Sequence, residues 1–170
     1  MMTVKLTLEY DGTGYAGWQR QPNQPTIQEA VESAVEGVTQ AKVPVMGAGR
    51  TDAGVHALGQ VASFRTERDM APSEWVRALN AHLPDDIAVL AADIAPDTFH
   101  ARHAAKGKLY EYRILNRSER PAVDRFFCWH VYKPLDDAAM NRAAMCLIGR
   151  HDFTTFRSAN CQAASPVKTL

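Results

Sequence analysis

Val4, Leu6, Leu8 and Tyr10 alternate with Lys5, Thr7 and Glu9, and the apolar period then lengthens along Ile27, Ala30, Val31, Ala34, Val35 and Val38. A period of two lays one face of an extended chain on a core, whereas i, i+3, i+4, i+7 spacing lays one stripe of a helix on it. The first helix opens at Thr26, with Glu29 three residues on as in a capping box. A second strand is expected at about residues 43–47 and a third at 60–65. A helix then opens at Pro72 and Ser73, with Trp75, Val76, Leu79 and Leu83 inward, and residues 87–92 make a fourth strand. The order β-α-β-β-α-β is the ferredoxin-like split arrangement, one antiparallel sheet backed by two helices. Topology of this kind serves many functions and identifies none.

Beyond it, residues 97–107 read as a polar connector. Residues 108–115 alternate again, with Tyr110, Tyr112 and Ile114 on one side and Leu109, Glu111, Arg113 and Leu115 on the other. Residues 126–132 read as a further strand. Asp136 caps a helix bearing Met140, Ala143, Ala144, Leu147 and Ile148, and Gly149 ends it. The fold class expected is α+β. Residues 1–96 form a ferredoxin-like unit, and residues 97–170 begin a second, incomplete unit that extends a mixed, mostly antiparallel sheet.

With 170 residues, 46% of them hydrophobic and 22% charged, the chain can bury a core without staples, which excludes a disordered class. Apolar runs are too short to span a bilayer, since Asp93 interrupts even the stretch from Ile87 to Ala95. The first ten residues alternate like a strand and lack a signal core, so the chain reads as cytoplasmic. Cys128, Cys146 and Cys161 are odd in number and widely spaced. Neither Cys128-Trp129-His130 nor His100-Ala101-Arg102-His103 has a second ligand pair, so reduced thiols and no metal are expected. Gly12-Thr13-Gly14-Tyr15-Ala16-Gly17 has the form G-x-G-x-x-G, but Pro22 and Pro25 delay the helix that would meet a pyrophosphate. No nucleotide cofactor is expected. Net charge is zero, yet Arg102, His103, Lys106, Lys108 and Arg113 cluster with only Glu111 among them. Such a strip is either a phosphate-facing surface or a solvated face.

The stretch with chemical content is Gly49-Arg50-Thr51-Asp52-Ala53-Gly54-Val55-His56-Ala57. Following the β-branched Val43 and Val45, it reads as a loop that exposes a cation and a carboxylate two residues apart. Arg50 can keep Asp52 ionised by pairing with it. The plainer reading is a polar turn whose aspartate caps local backbone.

This stretch resembles the signature of the tRNA pseudouridine synthase A family, and four others agree with it in order. They are Tyr10-Asp11-Gly12 with Tyr15-Ala16-Gly17-Trp18-Gln19, Phe99-His100-Ala101-Arg102, Lys108-Leu109-Tyr110-Glu111-Tyr112, and Phe153-Thr154-Thr155-Phe156-Arg157. Five separated motifs in the same order make the resemblance specific over residues 5–170. It implies an isomerase, without cofactor or metal, that converts uridine to pseudouridine at positions 38, 39 and 40 of the tRNA anticodon arm. Asp52 is by resemblance the catalytic carboxylate, acting as a nucleophile at C6 or C1′ or as a base on a ribose proton. Arg50 orients it, Tyr110 sits on the uracil, and Trp18, Gln19, Arg102 and Arg157 contact RNA. His56 is read as loop structure and Tyr112 as packing. The resemblance also implies a homodimer that cradles tRNA across both subunits, away from any membrane. It further makes the chain the N-terminal two-thirds of a typical member, so that little turnover is expected from residues 1–170 alone. The alternative is a non-catalytic RNA-binding module of ferredoxin-like fold. Asp52 separates the two, because binding alone gains nothing from a carboxylate set among phosphates.

Overall fold

The structure, a computed structural model, describes residues 1–157 and 165–170. They pack as two compact units, Met1–Tyr110 and Glu111–Leu170. In the first, the elements follow as β1 (Met2–Tyr10), α1 (Ile27–Thr39), β2 (Met46–Gly47), β3 (Ala57–Thr66), α2 (Pro72–Asn80) and β4 (Ile87–Ala95). The sheet order is β2-β3-β1-β4, with every neighbouring pair antiparallel. The expected α+β, ferredoxin-like arrangement is what the chain adopts.

The two sequence periods explain why. Val4, Leu6, Leu8 and Tyr10 are buried on one face of β1, alongside Phe64 and Ala62 of β3 and Ile87 and Val89 of β4. A slip of one residue in the ladder would turn that whole set to solvent, so the register is strongly specified. Each full burial of such a side chain contributes roughly 1.5–3 kcal/mol. Over this face lies α1, burying Ile27, Val31, Ala34, Val35 and Val38. The Thr26 hydroxyl accepts from the Glu29 amide at its start. In α2, Trp75 and Leu79 are buried, and the Glu74 carboxylate accepts from the Ala71 amide at 2.8 Å. The Trp75 ring meets Phe64 edge-on, with centroids 5.4 Å apart.

Three departures from expectation have local causes. The second strand is two residues long, because the Val45 backbone bonds to helix side chains instead of a ladder. Its amide donates to the Glu32 carboxylate at 3.1 Å, and its carbonyl accepts from Gln28 Nε2 at 3.0 Å. The third strand is longer than expected and starts at Ala57, with a register shift between the pairs Leu8–Gln60 and Tyr10–Ala57. The connector after β4 contains a helical turn, α3 (Ala101–Ala104), in which the Ala101 amide donates to the buried Ser63 hydroxyl at 3.2 Å.

In the second unit, β5 (Ile114–Asn116) pairs in parallel with β6 (Trp129–Val131), and β7 (Arg150–Asp152) pairs antiparallel with β8 (Val167–Thr169). Each pair forms a sheet of its own. Asn116 secures the first pair, its amide group donating to the carbonyls of Val131 and Lys133 while its oxygen accepts from the Leu135 amide. The strand expected over residues 108–115 is realised only from Ile114 onward. Alternation says which side chains would share a face, but a ladder needs a partner backbone. Among the described residues no strand pairs with 108–112, although the Arg113 carbonyl accepts from the Trp129 amide, and Leu109 and Tyr112 are exposed. Helix α4 (Asp137–Met145) is capped as expected by Asp136, whose carboxylate accepts from the Ala139 amide at 2.8 Å. It ends at Met145, before Gly149, and Met140, Leu147 and Ile148 are exposed rather than buried. Cys128 and Cys146 are free thiols, while Cys161 lies outside the described residues. Among the described residues no helix is long and apolar enough to cross a membrane.

Candidate functional site

Asp52 stands in the loop between β2 and β3, and that loop is fastened along both of its arms. At its start, the Ala48 amide donates to the Val61 carbonyl and Gln60 Nε2 donates to the Gly49 carbonyl, each at 2.7 Å. These bonds hold the descending arm on β3. At its tip, Ala53 and Gly54 turn the chain, with Gly54 at φ +76°, and the Val55 amide donates to the Asp52 carbonyl.

A second loop, between β1 and α1, braces the first. The Trp18 amide donates to the Thr51 carbonyl at 2.9 Å, the Gly54 amide donates to the Tyr15 carbonyl at 3.3 Å, and the Tyr10 and Thr51 hydroxyls share a 2.9 Å hydrogen bond. On the far arm, the Gly12 amide donates to His56 Nδ1, which also lies 3.0 Å from the Asp11 carboxylate. The two backbones touch at glycines. A Cβ on Gly12 would overlap the Val55 carbonyl oxygen, and one on Gly17 would lie 2.5 Å from the Thr51 oxygen and 3.0 Å from the Asp52 carbonyl carbon. Gly14, the middle glycine of the G-x-G-x-x-G form, has open space around it. Gly12 and Gly17 are thus the surface on which the Asp52 loop is seated.

Asp11, Tyr10 and Tyr15 are each shifted from their ordinary acidity by their surroundings. Hydrogen bonds from the Thr13 hydroxyl and amide, then the neighbouring His56, hold the Asp11 carboxyl below its ordinary range. Burial pushes the Tyr10 phenol up against the opposing hydrogen bonds from Thr51 and Gln60. Tyr15 is pushed up by burial and by Asp86, to which its hydroxyl donates at 2.6 Å. Both phenols therefore remain neutral supports of the loop.

The expected site residues fall into three groups. Arg50 and Asp52 share the loop and are exposed. Trp18 and Gln19 belong to the brace. The Trp18 ring is 2% exposed and lies under Gly47, so what it offers the Asp52 loop is packing and its amide. Gln19 is half-buried, its amide group donating to Gln28 Oε1 at 2.7 Å. The remaining three lie on other segments: Arg102 is exposed on α3, Tyr110 is 64% exposed at the end of the first unit, and Arg157 follows the 3-10 turn Thr154–Phe156 in the second. No described hydrogen bond joins the side chain of Tyr110 or Arg102 to the Asp52 loop.

The sequence did not single out Tyr10, Thr51 or Gln60 as supports, because their partnership is made by strand register and not by spacing. Lys108 is a further case, its side chain lying across Gly49. Two clefts in the first unit, of about 530 Å³ at Arg68 to Ala78 and about 380 Å³ at Pro96 to Ala104, include neither Arg50 nor Asp52. The carboxylate sits on an open loop, which suits a substrate that brings its own walls. Among the described residues no three His, Cys, Asp or Glu side chains are placed to hold a metal ion.

Residues 7–103, which include both interlocked loops, match a family described as tRNA pseudouridine synthase. The chain is 53% identical to the tRNA pseudouridine synthase A of Allorhizobium ampelinum, over all of its own length and 67% of the relative's. It is 54% identical to the protein of that name from Rhodopseudomonas palustris, covering 69% of it, and 52% identical to that from Rhodospirillum rubrum, covering 62%.

Proposed function

The chain belongs to the tRNA pseudouridine synthase family, and from that membership we propose that it isomerises uridine to pseudouridine in the tRNA anticodon arm, with Asp52 as the catalytic carboxylate. The relatives are named as tRNA-modifying enzymes, and the positions 38, 39 and 40 follow from the sequence resemblance. The observation that carries the role of Asp52 is its place at the exposed tip of a loop that two neighbouring segments hold by backbone and side-chain hydrogen bonds. A preorganised carboxylate loses little freedom when a substrate arrives.

The reaction breaks the bond from ribose C1′ to N1 of the base and forms one from C1′ to C5. N1 gains a proton and C5 loses one, so electrons balance without a redox partner or group donor. The target nucleotide must leave its stack to reach Asp52, and an open loop permits that approach. Asp52 then acts as nucleophile at C6 or C1′, or as base on the ribose. Arg50, two residues away, supplies a planar cation beside the anionic backbone. The exposed Tyr110 ring offers a face on which the uracil stacks. Gln19 and Arg102 meet the RNA near the loop, Arg157 of the second unit is a further RNA contact, and Trp18 supports the loop from beneath. The enzyme works as a homodimer in the cytoplasm, each tRNA lying across two copies.

Release of tritium from tRNA carrying [5-³H]uridine reads the loss of hydrogen from C5 directly. With the sequence carried in a full-length protein of the family, release by the parent and its absence in Asp52→Asn is the expected result. Binding of tRNA without release would favour the non-catalytic RNA-binding reading.

A further inference from the structure

We propose that Lys108 is an RNA phosphate-binding residue of the Asp52 site, and that Gly49 is the seat that places its ammonium there. The inference rests on the proposed action on tRNA. A Cβ added to Gly49 would overlap Lys108 Nζ and lie 2.6 Å from Cε and 3.5 Å from Cδ. The end of the lysine side chain therefore crosses the bare α-carbon, three residues before Asp52. Gly49 does not require a positive φ, so unusual backbone geometry does not account for glycine here. The close approach does.

The seat is rigid. Gly49 is held through its carbonyl by Gln60, and the preceding residue, Ala48, through its amide by Val61. Among the described residues no carboxylate lies within ion-pair distance of the Lys108 ammonium. A charge left without a protein counter-ion at Gly49, on the loop that carries the exposed Asp52, is suited to a mobile anion. RNA supplies that anion, one phosphate for each nucleotide, and its approach to Asp52 is repulsive unless cations stand close by. Lys108 answers that need at the loop's entry. Tyr110 follows two residues later, so one short segment carries both the proposed phosphate contact and the proposed base contact.

The full 170-residue chain is titrated with an unmodified tRNA transcript at several salt concentrations, in the parent and in Lys108→Met, Lys108→Arg, Gly49→Ala and the Gly49→Ala/Lys108→Met pair. Methionine keeps the packing stem and removes the charge. The slope of log affinity against log salt should shrink by about 0.7–0.9 in Lys108→Met, the amount for one phosphate contact, and stay near the parent in Lys108→Arg. Gly49→Ala, which displaces the flexible end of the lysine but keeps its charge, should shrink the slope by less than Lys108→Met does, and the pair should match Lys108→Met alone. Circular dichroism establishes that the alanine variant is folded; if it is not, the methionine and arginine variants decide. A parental slope in Lys108→Met would overturn the inference and leave a packing role. A parent without salt-dependent tRNA affinity would overturn the proposed function, and this inference with it.

Discussion

Gly17 packs against Thr51 so closely that a Cβ would lie 2.5 Å from the Thr51 carbonyl oxygen, while its own φ of +99° is one that side-chain-bearing residues rarely adopt. Strain and overlap act together at this point. Gly17→Ala should destabilise the fold by about 1–3 kcal/mol and displace the Asp52 loop. Gly14→Ala, with open space around it, is the control and should leave stability within about 0.5 kcal/mol of the parent. Urea denaturation of the three proteins checks both expectations. Equal midpoints would mean that the two loops do not depend on their contact.

Asp52→Asn keeps the shape of the side chain and removes its nucleophilic or basic oxygen. Activity should fall by at least about a thousandfold, with stability and tRNA affinity near the parent's. The measurement, made with the sequence carried in a full-length protein of the family, is tritium release beside a binding titration. Turnover within about tenfold of the parent would remove Asp52 from the chemistry.

Tyr110→Ala should cost more activity than Tyr110→Phe, by about the ~1–3 kcal/mol of one stacked base. The exposure of Tyr110 makes the comparison clean, since no described core is disturbed by removing its ring. Steady-state kinetics of the two variants separates ring from hydroxyl. A fully active alanine variant would exclude the stacking role.

The Asp11 carboxyl is held below its ordinary value of 3.8 by Thr13 first and His56 after it. The folded state thus favours the ionised form, and the sign follows. Its contribution is fully present above the unfolded value and is lost as pH falls below about 3.8 toward the depressed folded value. Asp11→Asn should flatten the loss of stability across that acidic window. Denaturation midpoints between about pH 5 and pH 2 measure it. Parallel pH profiles for parent and variant would show that Asp11 contributes no such linkage.

Much of the first unit was determined by the sequence alone. Strand β1, helices α1 and α2, their order and their buried faces are local consequences of apolar period, and the caps at Thr26 and, in the second unit, at Asp136 follow from hydroxyl and carboxylate oxygens placed to accept from free amides. The Gly49 to Ala57 loop was legible too, because two glycines and a charged pair between strands mark exposed backbone. Tertiary structure alone decided how that loop is held. Gly12 meets Val55, Gly17 meets Thr51, and Lys108 meets Gly49, all across long stretches of chain. A sequence pattern records what a residue needs from its neighbours within a turn or two. It does not record which distant backbone will come within van der Waals reach, since register and sheet order settle that only when the core closes. The same reason shortened β2 and the strand at residues 108–115. Extended segments become strands by pairing, and a partner is a property of the folded chain.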